Sequence, residues 1–167
     1  MTIISNDYFL SFYTGLQFLY FLSQSFVAPY ITYFLSRIAP RGPAAPIILS
    51  EQTSNEQAIM IIKKDSRRFE GDIMNKSAYE LIKWISAVKK EIPTLKVPFM
   101  CLHGEADKIA LPKGSVYLME HSSTDNSQKN LFLLPNLRHE MFHEKIPYGH
   151  QSILKVLHYF ESQLVKV

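Results

Sequence analysis

An aspartate and a histidine that could act together in acid–base catalysis each lie just beyond an apolar run of strand length. Asp107 comes after the run 97–102, and His139 comes after the run 131–134. A histidine beside a buried carboxylate can take the proton of a hydroxyl group, because the carboxylate fixes the imidazole tautomer and stabilises the imidazolium. Asp107 and His139 are therefore the candidate catalytic residues, as the acid and the general base of a hydrolytic site.

The elements that would position this pair alternate between helix and strand. The first predicted helix starts with a capping box of Ser77 and Glu80 and ends before Pro93. The pattern then predicts a strand that leads to Asp107, a helix over 113–121, a strand at Leu131 and a last helix from about His150. Such alternation is typical of an α/β fold with a parallel sheet, in which loops at the carboxyl ends of the strands carry functional side chains. Because two strands do not make a stable sheet alone, we expect only a portion of the sheet in this chain.

The first part of the chain is rich in aromatic residues and has no charged residue from Tyr8 to Ser36. We predict one or two helices here, broken near Pro29, then an irregular loop over 39–56 and an apolar run over 58–62 that suits either helix or strand. The uncharged segment has three interpretations: buried or lid helices, a segment at a membrane interface, or a membrane span whose polar side chains make insertion costly.

The composition indicates one globular domain. The chain has 167 residues, of which 47% are hydrophobic, and a net charge of +3, so it can build a core and has only a mild basic bias. The lone cysteine, Cys101, cannot form an internal disulfide, so we expect a cytoplasmic protein, with peripheral membrane contact as a further possibility. The basic run 63–68 suits a solvated surface, and no nucleic-acid motif accompanies it, so no nucleic-acid binding is expected.

Residues 139–143 read H-E-M-F-H and match the H-E-x-x-H pattern of zinc peptidases, with Glu161 near the place of a third ligand. In that pattern the two histidines bind the metal from one turn of a helix. Pro135 and Pro147 bracket the motif, and the run before it suits a strand, so a loop histidine is favoured. The zinc peptidase stays as an alternative, but neither a metal site nor a cofactor is expected.

The segment 97–108, V-P-F-M-C-L-H-G-E-A-D-K, resembles the acid-bearing strand and loop of the monoacylglycerol lipase family, which belongs to the lysophospholipase-like, serine-aminopeptidase-type α/β hydrolases. Residues 112–120 resemble the family's next helix, and residues 131–144 resemble its last strand with the histidine loop. Residues 77–98 resemble the segment that returns from the family's cap, and residues 27–65 resemble the cap itself more loosely. The resemblance implies the C-terminal portion of an α/β-hydrolase fold preceded by a helical cap. It also implies that Asp107 is the triad acid and His139 the general base.

The chain departs from this family at the nucleophile. The family's serine lies in a G-x-S-x-G turn ahead of the cap. No two of the six glycines here are four positions apart, so that motif is absent, and the oxyanion donors that go with it are absent as well. The dipeptide His103-Gly104 lies in the acid strand, and we interpret it as a strand end. The expected protein is an incomplete monoacylglycerol-lipase-like serine hydrolase that is inactive as this chain alone.

The resemblance also sets the expected organisation and partners. We expect an unassigned aromatic segment over 1–26, a cap-like helical region over 27–92 and the C-terminal part of the hydrolase core over 93–167. The implied reaction is hydrolysis of a monoacylglycerol or lysophospholipid, so the partner is a lipid ester, and an uncharged lid suits contact with a membrane surface. Protein partners stay undefined. A non-catalytic lipid-binding or interaction module that kept the cap is the alternative.

Overall fold

The structure is a computed structural model, and it describes residues 27–164. In chain order the helices and strands are α1 (Ala28–Ile38), β1 (Pro43–Ala45), α2 (Leu49–Gln52), α3 (Glu56–Lys64), β2 (Ile73–Met74), α4 (Asn75–Glu91), β3 (Phe99–Gly104), α5 (Lys113–His121), β4 (Lys129–Leu134) and α6 (Tyr148–Leu164). Short 3₁₀ turns lie at Ile92–Thr94, Asn126–Gln128 and Met141–His143. The chain forms two compact units, one with the described residues up to Ile47 and Phe69–Lys90, the other with Ile48–Arg68 and the described residues from Glu91 onward.

The helix and strand order of the second half is confirmed. β3 and β4 are the two predicted strands, and α5 has the predicted bounds. α4 ends at Glu91, just before Pro93, and α6 begins two residues ahead of His150. The predicted break near Pro29 coincides with the first turn of α1, where a proline is well tolerated because its missing N–H would have no partner. Predictions for residues 8–26 lie outside the described part of the chain.

One prediction for the first half is wrong, and one that was left open is resolved. Residues 39–56 are not a uniformly irregular loop, since they contain β1 and α2. The ambiguous run 58–62 belongs to α3, which begins after Asn55. The Asn55 side chain accepts hydrogen bonds from the backbone N–H groups of Gln57 at 3.1 Å and Ala58 at 3.4 Å, so it caps the helix start.

The predicted capping box is also wrong. α4 begins at Asn75, directly after β2, so Ser77 lies inside the helix. The Glu80 carboxylate does not reach back to a free N–H group; it binds Lys76 at 2.9 Å and Lys83 at 3.0 Å. Asn75 takes over the anchoring role, because its buried side chain donates to the Ala39 oxygen at 2.9 Å and ties the helix start to the chain after α1.

The second unit is organised around a two-stranded parallel sheet. β3 and β4 pair in continuous register from Phe99 with Lys129 to Gly104 with Leu134. α5 connects the strands and packs beside β4. The Lys129 ammonium is buried and donates to the Met119 oxygen at 2.7 Å and the Ser122 oxygen at 3.1 Å. A cation that satisfies the last carbonyl groups of a helix also interacts well with its dipole, so Lys129 fixes the end of α5 on the sheet.

The core of the described residues is small. Its most deeply buried apolar side chains are Ala45, Ala78, Leu134 and Leu137. The apolar side chains of α4 and α6 are largely exposed, including Ile85 at 64% and Leu157 at 50%. The described residues form two separate two-stranded sheets with little apolar cover, as expected for a portion of a larger fold. Every helix in residues 27–164 is too short or too polar to cross a bilayer.

Candidate active site

The turn after β3 places Asp107 at the carboxyl edge of the parallel pair. The turn is fastened to the loop after β4, because the Ala106 N–H donates to the Leu137 oxygen at 3.0 Å. Gly104 allows this close approach, since a Cβ at its position would collide with the Leu137 carbonyl group. A glycine at the end of β3 is therefore a requirement of the site and not only of the strand.

The Asp107 carboxylate is almost enclosed, with its side chain 4% exposed. Its Oδ1 accepts hydrogen bonds from the backbone N–H groups of Ile109 at 2.8 Å and Ala110 at 2.9 Å. Its Oδ2 lies 2.8 Å from Nδ1 of His139. A buried carboxylate requires such partners. Oδ1 thus holds the loop, and Oδ2 is directed at the imidazole.

His139 is positioned by a tight turn after β4. Asn136 has a φ angle of 62°, in the left-handed region that asparagine adopts more readily than most residues. Leu137 is buried and anchors the turn. The His139 side chain is 38% exposed, and because Nδ1 faces the carboxylate, Nε2 points to the other side of the ring, where a hydroxyl group can approach. The expected proximity of Asp107 and His139 is confirmed, and their catalytic roles remain a prediction.

A second anchor holds the loop after β4 to the chain just beyond α2. Glu144 is buried, and its carboxylate accepts hydrogen bonds from the backbone N–H and the hydroxyl of Ser54 and from the backbone N–H of Arg138 at 3.3 Å. Thr53 is fully buried and donates its hydroxyl to the His143 oxygen at 3.2 Å. Side chains from a distant stretch of sequence therefore fix the C-terminal end of the candidate base's loop, and Glu144 ties that end to Arg138.

Sequence reasoning missed this anchor. Its hydrogen bonds join positions 90 apart in the chain, a separation at which no local pattern operates. Asn55 carries the one local signal, because it caps α3 and its amide also donates to the His143 oxygen at 3.0 Å. A helix cap that follows two further polar residues, Thr53 and Ser54, could have indicated a structured turn.

A second histidine also contacts the candidate acid. The Nε2 atom of His103 lies 3.3 Å from Oδ2 of Asp107 and 2.6 Å from the Ala110 oxygen. Its Nδ1 atom lies 2.6 Å from the hydroxyl of Ser115. The sequence analysis treated His103 only as part of a strand end, and the structure adds it to the surroundings of Asp107.

The H-E-x-x-H residues do not share one helix. His139 lies on the loop, and only Met141–His143 form a single 3₁₀ turn. The His143 ring pairs with Glu140, 3.2 Å from Nδ1 to Oε2, while the His139 ring pairs with Asp107. In residues 27–164 no group of three or more His, Cys, Asp or Glu side chains is arranged to hold a metal ion. The geometry therefore does not support the zinc peptidase pattern.

Asp65, at the end of the loosely matched cap segment, is a surface residue. It ends α3 and accepts hydrogen bonds from the backbone N–H of Arg67 at 2.9 Å and from its guanidinium at 3.0 Å. The Arg67 guanidinium lowers the pKa of the Asp65 carboxyl below its ordinary value. This exposed pair shapes the turn after the helix.

A small cavity lies where the end of β4 meets α6. Its volume is about 190 Å³, and its lining includes Leu134, Leu137, Tyr148 and Ser152. Ligand sites usually measure roughly 300–1,000 Å³. This cavity is too small for a fatty acyl chain and is a packing gap beside the histidine loop.

The fold is that of an α/β hydrolase. The monoacylglycerol lipase of Paleococcus ferrophilus is similar with a TM-score of 0.69 at 17% identity, covering 89% of this chain and 65% of that one. A soluble variant of the monoglyceride lipase of Saccharomyces cerevisiae is similar with a TM-score of 0.67 at 16% identity, covering 89% and 59%. These likenesses confirm the expected partial α/β-hydrolase fold.

Sequence comparison gives the family. The chain belongs to the serine aminopeptidase S33 family, whose model matches residues 17–146. The human monoglyceride lipase is 26% identical over 129 residues, and the rat monoglyceride lipase is 30% identical over 88 residues. The resemblance to monoacylglycerol-lipase-like hydrolases is thus confirmed. The chain spans 42% of the length of the human relative and 28% of the rat relative.

Proposed function

We propose that this chain supplies the acid and the general base of a monoacylglycerol-lipase-like serine hydrolase and lacks the nucleophile. The main support is the 2.8 Å hydrogen bond between His139 Nδ1 and Asp107 Oδ2, formed by two loops at one edge of a parallel sheet. The proposed substrates are esters of long-chain fatty acids, such as a monoacylglycerol or a lysophospholipid. The similarity to monoglyceride lipases supports this substrate class.

The geometry of the pair suits proton transfer at Nε2 of His139. With its proton on Nδ1 and shared with Asp107, the imidazole presents a lone pair at Nε2. That lone pair takes the proton of a serine hydroxyl as the oxygen attacks the ester carbon, and the imidazolium then protonates the leaving alcohol. The Asp107 carboxylate stabilises the positive ring through both steps. Its backbone hydrogen bonds prevent it from turning away.

The nucleophile and the oxyanion donors must come from elsewhere for this reaction to proceed. The sequence has no G-x-S-x-G motif, and the backbone N–H groups that would stabilise the tetrahedral intermediate accompany that motif. Removal of even one oxyanion donor costs about 10²–10³ in kcat. We therefore propose that the chain alone does not hydrolyse esters.

The regions ahead of the acid–base pair are proposed to serve lipid access. We assign residues 27–92 to a cap-like region and 93–167 to the C-terminal part of the core, with 1–26 unassigned. α1 and α4 expose aromatic and aliphatic side chains, among them Tyr30, Phe34, Trp84 and Ile85. Such side chains suit peripheral contact with a membrane surface. The same exposed residues favour the second candidate function, a non-catalytic lipid-binding module.

The test compares the chain alone with a fusion that restores a nucleophile. The fusion places the G-x-S-x-G-bearing N-terminal portion of the human monoglyceride lipase ahead of this chain, and glycerol release from a monoacylglycerol is measured. We expect no hydrolysis by the chain alone and measurable hydrolysis by the fusion. His139→Ala in the fusion should lower kcat by roughly 10³-fold or more, because the general base is lost.

The matched control is His143→Ala, which removes a neighbouring histidine that pairs only with the exposed Glu140 and should change kcat less than about threefold. Equal losses from the two substitutions would contradict the assigned role of His139. Hydrolysis by the chain alone, abolished by His139→Ala, would reveal a nucleophile within it. A folded fusion that binds a lipid ester without hydrolysing it would favour the non-catalytic module.

A further inference from the structure

His103 is held more tightly than a strand-end residue requires. It is the last residue but one of β3, and its side chain is 13% exposed. Both ring nitrogens have close partners, with the Ser115 hydroxyl 2.6 Å from Nδ1 and the Ala110 oxygen 2.6 Å from Nε2. The Asp107 Oδ2 atom is a third neighbour, 3.3 Å from Nε2.

These partners select one tautomer of the neutral ring. A carbonyl oxygen only accepts hydrogen bonds, so Nε2 of His103 carries the proton that faces Ala110 and Asp107. Nδ1 is then an acceptor and receives the proton of the Ser115 hydroxyl. The Ser115 oxygen in turn accepts from the Cys101 thiol at 3.3 Å. The donors run in one direction, from thiol to hydroxyl to imidazole to carbonyl and carboxylate.

The position of the ring explains how the Asp107 carboxylate keeps its orientation. Oδ1 is fixed by two backbone N–H groups, and Oδ2 lies between the two histidines. His103 is thus a second imidazole neighbour of Oδ2, and it also binds the Ala110 carbonyl of the same loop. Rotation of the carboxylate would break contacts on both oxygens.

We propose that His103 is a positioning residue of the acid–base pair, which holds the Asp107 carboxylate and its loop so that Oδ2 stays directed at Nδ1 of His139. This inference rests on the proposed function of Asp107 and His139. His103 acts through Asp107 and touches no substrate.

Ser115, His103 and Asp107 also have the order of a nucleophile, a base and an acid. Ser115, however, is buried at 8% exposure, and its oxygen is engaged by two neighbours. A nucleophile must be open to the ester carbon. The geometry therefore points to a support for Asp107, and labelling of Ser115 by a serine-reactive fluorophosphonate would overturn this assignment.

The test follows the His139 side chain by nitrogen-15 NMR in the full chain, kept in a nonionic detergent that covers exposed apolar side chains. The rate at which the His139 Nδ1 proton exchanges with water is compared in His103→Gln and His103→Asn. A Gln amide can reproduce the donor at Nε2, whereas an Asn amide is too short to reach. We expect exchange to be about tenfold faster in His103→Asn, the loss of one hydrogen bond to a charged group, and within about twofold of wild type in His103→Gln.

His143→Asn is the matched control, since His143 has no contact with Asp107 and should leave the exchange rate unchanged. Equal rates in His103→Asn and wild type would overturn the inference. If His103→Asn does not fold, Ser115→Ala tests the same inference with a smaller change, because it removes the hydroxyl that donates to Nδ1 of His103. A mixture of His103 tautomers together with faster exchange of the His139 Nδ1 proton would support the inference. An unchanged exchange rate would overturn it. A wild-type His139 without a protonated Nδ1 bonded to Asp107 would instead refute the proposed function itself.

Discussion

Replacement of Glu144 by glutamine should release the loop that carries His139. The Glu144 carboxylate is buried and accepts hydrogen bonds from the Ser54 N–H at 3.1 Å, from the Ser54 hydroxyl and from the Arg138 N–H at 3.3 Å. An amide of the same size has one acceptor oxygen where the carboxylate has two. In Glu144→Gln the NH₂ group can donate to the Ser54 hydroxyl, which accepts as well as donates, but the N–H groups of Ser54 and Arg138 lose their charged acceptor.

The expected cost follows from that loss of charge. A hydrogen bond to a charged group contributes about 1.5–3 kcal/mol and one to a neutral group about 0.5–1.5 kcal/mol, so weakening two such bonds should destabilise the loop by roughly 2–3 kcal/mol. That free energy raises the equilibrium for local opening by roughly 30- to 150-fold. The backbone N–H groups of Ser54 and Arg138 should exchange with deuterium faster by this factor in native-state hydrogen exchange.

Glu140→Gln is a closely matched control, because it makes the same chemical change four residues earlier in the same loop. Glu140 is 43% exposed at its side chain and pairs only with His143, so its loss should change exchange at Ser54 and Arg138 by less than about threefold. Similar acceleration in Glu140→Gln would show that the general loss of negative charge, and not the buried anchor, sets the loop's stability. No acceleration in Glu144→Gln would refute the reasoning outright.

Three further predictions concern stability. Lys129→Met should destabilise the end of α5 by about 2–3 kcal/mol, measured as faster hydrogen exchange of its last backbone N–H groups, since it leaves the last carbonyl groups of α5 without their buried donor. Lys155→Met removes an ammonium that lies 4.6 Å from the centre of the Phe132 ring and should cost under about 1 kcal/mol. Gly104→Ala should separate the loop that carries Asp107 from the loop that carries His139, because the new methyl group would collide with the Leu137 carbonyl. The NMR signal of the hydrogen-bonded His139 Nδ1 proton should then be lost. Retention of that signal would contradict the steric argument. The isolated chain should self-associate through its exposed apolar faces and unfold without a cooperative transition, so a monodisperse monomer in sedimentation analysis with a sharp urea transition would contradict this.

The sequence was informative where chemistry and local pattern coincide. Two apolar runs followed by Asp107 and His139 predicted parallel strands with polar groups at one edge, and the pairing within hydrogen-bond distance follows from the register of β3 and β4. The sequence pattern predicted the wrong start for α4 at Ser77, because strand β2 leads directly into this helix and Asn75 is its first residue. Local signals decide where a helix is favourable, but long-range contacts decide where it begins.

The supports of the site were beyond sequence reasoning for a related reason. Glu144 and Ser54 are distant in sequence, and neither a glutamate nor a serine indicates by its type which residue it will contact. His103 was visible as a residue but not as a contact, since a histidine at a strand end fits a surface position equally well. Its role depends on which atoms face Asp107 and Ser115, and only the folded chain shows that.

The continuous pairing of β3 with β4 makes the acid–base pair a portable module. Asp107, His103 and His139 all come from one uninterrupted stretch that begins with Phe99, and the parallel register brings their loops together, with Thr53 and Ser54 as a further support. A break in the polypeptide ahead of Thr53 would leave all of these contacts within one piece. Under the proposed function, a hydrolase of this kind can be divided into two separately encoded pieces whose ester cleavage reports their reassembly, and this chain would be the piece that supplies the acid and the base.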